Sequence, residues 1–265
     1  MGEERRLHSE GLWFQGRPVE PDHLLDVPYV PSEQRVVHAM LRLAAVDAAD
    51  VVYDLGSGDG RIVIAAARDF GARAVGVEID RRRVEQAGDW AERAGVGHMT
   101  GFIEYDLLHA DFSPATVVTL YLLHELNMEL RPRLLDELRP GTRVVSHAFD
   151  MGEWKPDRKV MVDGVGVFLW IIPARVHGAW EWTCGRGRRH RVALLQDFQQ
   201  VTGRAWVDGE PVALEKAVLW GDWLELALRP AGAAEAEQVF MRCGRRRWLG
   251  FSGAHRDAVA RRVRA

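Results

Sequence analysis

Residues 54–61 read Asp-Leu-Gly-Ser-Gly-Asp-Gly-Arg, and they stand between a short apolar run and a helical pattern. Val51–Leu55 predicts a buried strand, and Arg61–Phe70 predicts a helix that ends at Gly71. Glycines at such a junction let the backbone turn tightly at the carboxyl end of a strand. This stretch therefore indicates an α/β sheet with crossover helices.

The alternation of strands and helices extends to both sides of this stretch. Helices are predicted after Pro31-Ser32 and over residues 82–94 and 130–138, and strands over residues 74–79, 102–105, 115–123 and 142–149. Residues 159–162 and 165–172 read as two strands joined at Asp163-Gly164, so they would close the sheet as an antiparallel hairpin. The predicted fold is α/β, with a Rossmann-like, doubly wound and mostly parallel seven-stranded sheet.

The pattern changes after Gly178, where helix signals stop. Short alternating runs separated by turn signals predict strands over residues 192–198, 203–207, 212–219, 224–228, 238–242 and 248–251. These strands indicate a small antiparallel β domain, either a meander or a barrel. The predicted organisation is an amino-terminal lid segment over residues 1–34, an α/β domain over 35–173 and a β domain over 174–265, whose role the sequence leaves open.

The composition is that of a globular chain. Of 265 residues 47% are apolar, which is enough for a sizeable core. No apolar run reaches the roughly 18 residues of a membrane span, and residues 1–20 lack the apolar stretch of a secretory signal, so we expect a cytoplasmic protein without a membrane span. Cys184 and Cys243 are too few for a disulfide framework or a four-thiolate zinc site, and no metal site is predicted.

Charge divides the chain at Pro173. Residues 1–173 carry 19 Lys and Arg against 28 Asp and Glu, a formal charge of −9, whereas residues 174–265 carry 16 against 10, a charge of +6. Such a step is expected of two units with different partners, of an acidic unit packed against a basic one, or of an incidental clustering of arginine.

The acids that flank the glycine loop indicate the charge of its ligand. Asp54 and Asp59 would repel the pyrophosphate of a dinucleotide, whereas they would attract a cation. S-adenosyl-L-methionine carries a sulfonium, an ammonium and a ribose but no phosphate, so it suits a loop of this kind. The sequence therefore predicts S-adenosyl-L-methionine as the cofactor.

Two more acids follow the next two strands. Glu78 lies 24 residues after Asp54, where a carboxylate can accept both ribose hydroxyls, and Asp106 is placed to accept from the adenine amino group. Asp106 also has an ordinary interpretation as a turn aspartate. The candidate cofactor-binding residues further include Gly56, Ser57, Gly58, Gly60 and Leu107.

The chain resembles a known family over roughly residues 25–172. The resemblance rests on Val-Pro-Tyr-Val-Pro at residues 27–31, the run from Asp54 to Ala67, Gly-Val-Glu at residues 76–78 and Trp-Lys-Pro-Asp at residues 154–157. These motifs are similar to class I (seven-β-strand) methyltransferases, in particular the small lysine methyltransferases acting on ATP synthase c-subunit and adenine nucleotide translocase, and to their uncharacterised prokaryotic relatives. The resemblance implies that the loop glycines and acids hold the cofactor, and that Tyr29 and Pro31 line the methyl-transfer mouth. Those eukaryotic enzymes have no counterpart of residues 178–265.

The methyl acceptor is expected above the end of the fourth strand, in residues 119–127. This segment lacks the Asp/Asn-Pro-Pro-aromatic signature for an exocyclic base amine, so adenine and cytosine are disfavoured. Tyr121 and Tyr29 are candidates for an aromatic channel around an amine, with Tyr121 also bordering the cofactor, or they are core tyrosines. His124 and Glu125 are candidate proton acceptors, although Glu125 also suits the start of a helix.

The β domain offers weaker signals. Six tryptophans (180, 182, 206, 220, 223 and 248) favour a core over a ligand groove, and the arginines of residues 186–191 and 245–247 favour a solvated or docked face over a nucleic-acid site. The sequence therefore predicts methyl transfer to a protein lysine and argues against nucleic acid as a partner. A small-molecule N- or O-methyltransferase and a non-catalytic cofactor-binding interaction module are the alternatives, and the oligomeric state is left open.

Overall fold

The computed structural model describes residues 13–14, 17–18, 32–185, 187–244, 247–251 and 253–263. Two short strands, β1 (Trp13–Phe14) and β2 (Arg17–Pro18), pair antiparallel. Most of the predicted lid over residues 1–34 lies outside the described residues, and so do Tyr29 and Pro31. In the part of the chain that the structure describes, no helix is both long and apolar enough to cross a membrane.

A seven-stranded sheet with helices forms the first half of the molecule. The helices are α1 (Gln34–Leu43), α2 (Arg61–Phe70), α3 (Arg81–Arg93) and α4 (His124–Glu137). The strands are β3 (Val51–Leu55), β4 (Arg73–Glu78), β5 (Thr100–Glu104), β6 (Val117–Leu120), β7 (Arg143–His147), β8 (Arg158–Val162) and β9 (Val165–Ile171). Their order is β5-β4-β3-β6-β7-β9-β8. Strands β3 to β7 run parallel and the β8–β9 hairpin runs antiparallel, which confirms the predicted fold class.

The sheet is buried on both faces, and this explains why its strands read as continuous apolar runs. Neighbouring residues of β3 show the division: Val52 packs with α1 and α2, whereas Tyr53 belongs to the opposite cluster, with Leu130 and Leu134 of α4. Because the five parallel strands share one direction, the turns that follow them meet at a single edge. All the described candidate site residues lie along or beyond that carboxyl edge.

The second half is a closed antiparallel barrel of eight strands. They are β10 (Gly178–Thr183), β11 (Arg189–Asp197), β12 (Gln200–Val207), β13 (Glu210–Trp220), β14 (Trp223–Arg229), β15 (Glu237–Cys243), β16 (Arg247–Gly250) and β17 (Val259–Val263). The sequence does not predict β10 or β17, whose pairing closes the barrel. The tryptophans divide: Trp180, Trp182 and Trp248 are buried in the barrel core, whereas Trp220 and Trp223 are exposed.

The barrel contacts the sheet half through two of its turns. In the β13–β14 turn, Gly221 lies so close to the sheet half that a Cβ there would be 3.0 Å from Gly141 Cα and 3.2 Å from Ile171 Cγ2. In the β11–β12 turn, the Phe198 ring stacks on Trp154 with centroids 6.0 Å apart, and the Gln199 side chain donates to the carbonyl of Lys155 at 2.7 Å. The loop after β7, which contains Trp154 and Lys155, therefore packs directly against the barrel.

Candidate active site at the carboxyl edge of the sheet

The glycine loop is fixed by backbone geometry and packing. Gly56, Gly58 and Gly60 all have positive φ angles, of 80°, 53° and 76°. A side chain at Gly60 would also place its Cβ 2.6 Å from the Phe102 ring, and one at Gly56 would meet Leu122 at 2.8 Å. The glycines are therefore required for the turn itself and for its fit against the sheet, in addition to any approach of a ligand.

Asp54 lies at the end of β3 with its side chain buried in the sheet. The Thr119 hydroxyl of the neighbouring strand β6 donates to Asp54 Oδ1 at 2.7 Å. Burial raises the pKa of Asp54 to about 7, and the negative charges of Asp59 and Glu78 add to the rise. The carboxyl group is therefore only partly ionised at neutral pH, and much of its role is to join two strands beneath the loop.

Asp59 forms an ion pair that was not predicted from the sequence. Its carboxylate accepts from the Arg61 guanidinium, with Nε 2.9 Å from Oδ1, and Arg61 also donates to the Ser32 carbonyl at 2.8 Å. Arg61 therefore neutralises one of the two acids on which the argument for a cationic ligand depends. The spacing of two residues between Asp59 and Arg61 is the sequence signal for this pair.

Glu78, at the end of β4, is held by backbone donors. Gly58 N–H donates to Oε2 at 2.8 Å, and the N–H groups of Ile79 and Asp80 each donate to Oε1 at 3.0 Å. A carboxylate has about four lone-pair positions, so roughly one is left for a ligand. In this arrangement Glu78 can accept one further hydroxyl, whereas two are expected from the sequence.

Asp106 follows β5 in a turn. Its carboxylate accepts from Leu108 N–H and from the His109 ring, both at 2.8 Å. Partial burial acts to raise the pKa of Asp106, but these hydrogen bonds and the His109 charge outweigh it, so that the pKa lies below its ordinary value. Asp106 is thus ionised at neutral pH and half-exposed, beside the partly buried side chain of Leu107.

Tyr121 and His147 stack at the ends of β6 and β7. Their ring centroids lie 3.9 Å apart with an interplanar angle of 30°. His147 is buried, and its Nδ1 lies 2.9 Å from the Ser32 hydroxyl. Burial lowers the pKa of His147 to about 4 and raises that of Tyr121 to about 12, so both rings are neutral at physiological pH.

His124 and Glu125 lie on the first turn of α4, because this helix begins at His124 and not near residue 130 as predicted. Both side chains are exposed, and His124 Nδ1 is 3.7 Å from Asp150 Oδ1. The acidic Glu125 in the first turn is the helix-start arrangement that its position in the sequence also suggests. Neither side chain is part of the pair formed by the half-buried Tyr121 and the buried His147.

Asn127 is a site residue that the sequence does not single out. It is fully buried and its side-chain nitrogen donates to Ser146 Oγ at 3.3 Å and to the carbonyls of Phe149 and Asp150 at 3.4 Å. These contacts tie α4 to the loop after β7. The sequence signal for Asn127 is its polar side chain at a position of α4 that faces inward, where the other buried residues are leucines.

A second polar cluster lies in the barrel. His190, Glu237 and His255 place possible metal-ligand atoms within 4.8 Å of one another. However, the Trp182 indole N–H donates to Nδ1 of His255 at 3.0 Å, so Nε2 carries the ring proton and donates it to Glu237 at 2.9 Å. A metal at Nε2 would require an imidazolate ring, so this cluster fits a hydrogen-bonded network and does not fit a metal site.

Comparison with known proteins identifies the sheet half. Residues 54–158 match the family described as the ANTKMT methyltransferase domain. A protein-lysine N-methyltransferase of Saccharolobus islandicus is 45% identical over 151 residues, which cover 55% of this chain and 94% of the relative. The chain belongs to this methyltransferase family. A lysine N-methyltransferase of Xenopus laevis, named for the ATP synthase c-subunit, is 37% identical over 180 residues, covering 68% of this methyltransferase and 71% of the relative.

A solved structure shares the same half. The RNA methyltransferase of Salinibacter ruber, in complex with S-adenosyl-L-homocysteine, is 56% identical, with a TM-score of 0.55, and the match covers 56% of this chain and 96% of that protein. The methyltransferase uses S-adenosyl-L-methionine as its cofactor, which confirms the prediction from the sequence.

The residues at the sheet edge fit this cofactor. Within the described part of the chain, the Ser57 hydroxyl is buried and has no hydrogen-bond partner, a state that costs free energy unless a ligand supplies one. Ser57 lies in the same loop as Gly58, whose N–H binds Glu78. The loop therefore combines an unsatisfied hydroxyl with a fixed carboxylate, as a polar ligand requires.

Proposed function

We propose that the protein is a protein-lysine N-methyltransferase. The observation that carries this proposal is the 45% identity to the Saccharolobus islandicus protein-lysine N-methyltransferase, of which the chain covers 94%. In this proposal residues 35–173 form the catalytic domain, residues 174–265 an added β domain, and residues 1–34 a lid segment whose Tyr29 and Pro31 border the methyl-transfer mouth.

The proposed cofactor residues follow the strand ends. Glu78 accepts one ribose hydroxyl and Asp106 accepts from the adenine amino group, while the Ser57 hydroxyl and the loop of Gly56, Gly58 and Gly60 bind the remaining polar groups. Leu107 packs beside the adenine and Asp54 supports the loop from below. S-adenosyl-L-methionine supplies a methyl group on a positively charged sulfur, so the protein's chief task is to align the acceptor and exclude water.

The proposed acceptor site is centred on Tyr121. Its ring, stacked on the neutral His147, offers an aromatic surface to an incoming lysine, and an ammonium is stabilised over such a face until it loses its proton. His124 and Glu125, exposed on the first turn of α4, are placed to pass that proton to solvent. A buried neutral His147 adds no positive charge that would repel the substrate.

RNA methylation is a second candidate, and one observation favours it. The Salinibacter ruber protein, at 56% identity and 96% coverage, is described as an RNA methyltransferase. The two candidates differ in the macromolecule that receives the methyl group, so a single labelling experiment separates them.

The test supplies S-adenosyl-L-methionine with a labelled methyl group to the purified protein and a cell extract. The lysine proposal expects label that survives ribonuclease, is released by protease and is found on the Nζ of lysine by mass spectrometry. Tyr121→Ala should lower turnover at least about tenfold, roughly 1.4 kcal/mol or more of transition-state stabilisation, while Tyr121→Phe, which keeps the ring, retains most of it. Label in RNA, or in a small molecule that passes a filter, contradicts the proposal.

A further inference from the structure

The strand register of the barrel aligns basic side chains in one row on its outer wall. Across four neighbouring strand pairs, Arg247 faces Arg261, Arg261 faces Glu181, Glu181 faces Arg191, and Arg191 faces Trp206. We call these five residues the basic row. With strands about 4.8 Å apart, the row spans roughly 19 Å of the wall formed by β16, β17, β10, β11 and β12.

The row is basic beyond what folding needs. Arg247 and Arg261 are both exposed and directly opposite each other, although like charges in such a pair destabilise a sheet. Arg189 and Arg204, two residues before Arg191 and Trp206 on the same strands, are also exposed. These arginines far outnumber Glu181, whose carboxylate lies 3.7 Å from Arg191 Nε.

An aromatic ring lies within this charge. The Arg191 guanidinium is 5.7 Å from the centre of the Trp206 ring, and Trp206 is half-buried with part of its surface open. Glu181, Arg189, Arg191 and Trp206 line a cavity of about 460 Å³ together with Gly209. A ligand that meets this wall encounters guanidinium groups and a ring face together.

We propose that the basic row binds single-stranded nucleic acid. Guanidinium groups recognise phosphate by paired hydrogen bonds, and an aromatic ring beside them stacks on an unpaired base, which an acidic peptide does not provide. In the sequence, the arginines of residues 245–247 stand beside Trp248, which suggests that Trp248 is the stacking ring. Trp248 is fully buried, however, so the ring available in the basic row is Trp206. This proposal concerns the barrel and stands apart from the identity of the methyl acceptor.

The test measures fluorescence anisotropy of a labelled 12-nucleotide single-stranded RNA with the protein of residues 1–265. Single-stranded DNA and an RNA duplex of the same sequence are further arms. Trp206→Ala should weaken binding by roughly 5- to 100-fold, the range for loss of one stacked base, and Trp206→Phe should recover much of it. Arg191→Ala with Arg261→Ala should lower the slope of log K against log salt by roughly 0.7 for each phosphate that the variant no longer binds.

Matched controls lie on strands outside the basic row. Arg229→Ala removes the same charge from β14, and Trp220→Ala removes an exposed ring from β13, so both should bind RNA as the parent does. The proposal is overturned if no saturable binding is seen at roughly physiological salt, where specific contacts persist. Equal weakening by the controls, equal binding of the duplex, or equally effective competition by polyglutamate would also overturn it. Binding of RNA alone or of both single strands supports it.

Discussion

Glu78 at the sheet edge and Glu237 in the barrel are both partly withdrawn from water, but their partners are of different kinds. Glu78 accepts from three backbone N–H groups, those of Gly58, Ile79 and Asp80. The partners of Glu237 are side chains: His255 Nε2 at 2.9 Å, His190 Nε2 at 3.3 Å and Arg188 at 3.4 Å. Backbone donors fix a carboxylate whatever the surrounding side chains are, whereas a side-chain network must form as a unit.

The difference separates a ligand site from a structural cluster. The sheet edge keeps unused polar capacity, in the remaining lone pair of Glu78 and the unsatisfied Ser57 hydroxyl. In the barrel, the ring nitrogens of His190 face the Arg188 carbonyl and Glu237, and those of His255 face Trp182 and Glu237. Of these two glutamate clusters, only the one at the sheet edge keeps hydrogen-bonding capacity that a ligand can use.

Replacing each glutamate should give the largest contrast. Glu78→Ala removes three hydrogen bonds to a charged group, each worth about 1.5 kcal/mol or more, so the free energy of unfolding of the sheet half should fall by roughly 4 kcal/mol and cofactor affinity should be largely lost. Glu237→Gln should leave S-adenosyl-L-homocysteine affinity unchanged and lower only the stability of the barrel. Isothermal titration calorimetry and scanning calorimetry of both variants measure this. Unchanged affinity in Glu78→Ala would remove Glu78 from the cofactor site.

Acidification should sharpen the contrast, because two pKa shifts oppose each other in the sheet half, whereas the two in the barrel act in the same direction. In the sheet half, burial holds the pKa of His147 at about 4, below 6.5, so stability is lost as pH falls from about 6.5 toward 4. Burial raises the pKa of Asp54 from 3.8 to about 7, so stability is gained over nearly the same range. In the barrel, burial lowers the pKa of His255. For Glu237, hydrogen bonding and charge from His190 outweigh burial and lower its pKa, so both groups destabilise on acidification.

We therefore expect the sheet half to change little between pH 7 and pH 4.5 and the barrel to lose stability. Asp54→Asn should leave the His147 effect unopposed, a loss of roughly 2.5 kcal/mol between pH 7 and pH 4.5, because stability falls by about 1.4 kcal/mol for each pH unit between the unfolded and folded pKa values. His147→Gln should leave the Asp54 effect unopposed, so that the free energy of unfolding of the sheet half rises as pH falls. Denaturant unfolding at the two pH values, followed separately for each half, provides the measurement. The same dependence of unfolding free energy on pH in the parent and in both variants would refute the assigned pKa shifts of Asp54 and His147.

The sequence predicts the sheet well because each of its strands and helices carries a local signal. Val51–Leu55 and Arg61–Phe70 match the structure at both ends. The start of α4 is missed because Leu123, its N-cap residue, offers no side-chain cap, and because the apolar run continues past the end of β6 at Leu120. Leu122 is buried outside any strand, against the glycine loop, so its apolar character reflects packing and not strand structure.

Features that depend on distant pairs could not be predicted. Strand β10 pairs with β17, about eighty residues away along the chain, so no local pattern reveals that the barrel closes. The hydrogen bond of Gly58 to Glu78 and the stacking of Tyr121 on His147 also arise only when strand ends meet. The sequence places the candidate site residues at the strand ends, but how much hydrogen-bonding capacity each has left depends on these contacts.

The smallest expected effect concerns the contact between the two halves, at Phe198. This ring stacks on Trp154, with planes 15° apart, and the Arg131 guanidinium lies 5.6 Å from its centre. An aromatic pair contributes about 0.5–1.5 kcal/mol and a cation–π contact about 0.5–1, so Phe198→Ala should lower the free energy of unfolding by roughly 2 kcal/mol. Leu195→Ala, on the same strand pair but exposed, is the matched control and should have almost no effect.

The effect of Phe198→Ala on turnover shows whether the barrel supports the active site. Trp154 lies in the loop after β7, and Asn127 holds the beginning of that loop through the carbonyls of Phe149 and Asp150. If the barrel stabilises the loop, Phe198→Ala should separate the melting transitions of the two halves and lower turnover a few-fold, with cofactor affinity unchanged. If the melting curve and turnover of Phe198→Ala match those of Leu195→Ala, the two halves are independent, and the barrel does not support the active site.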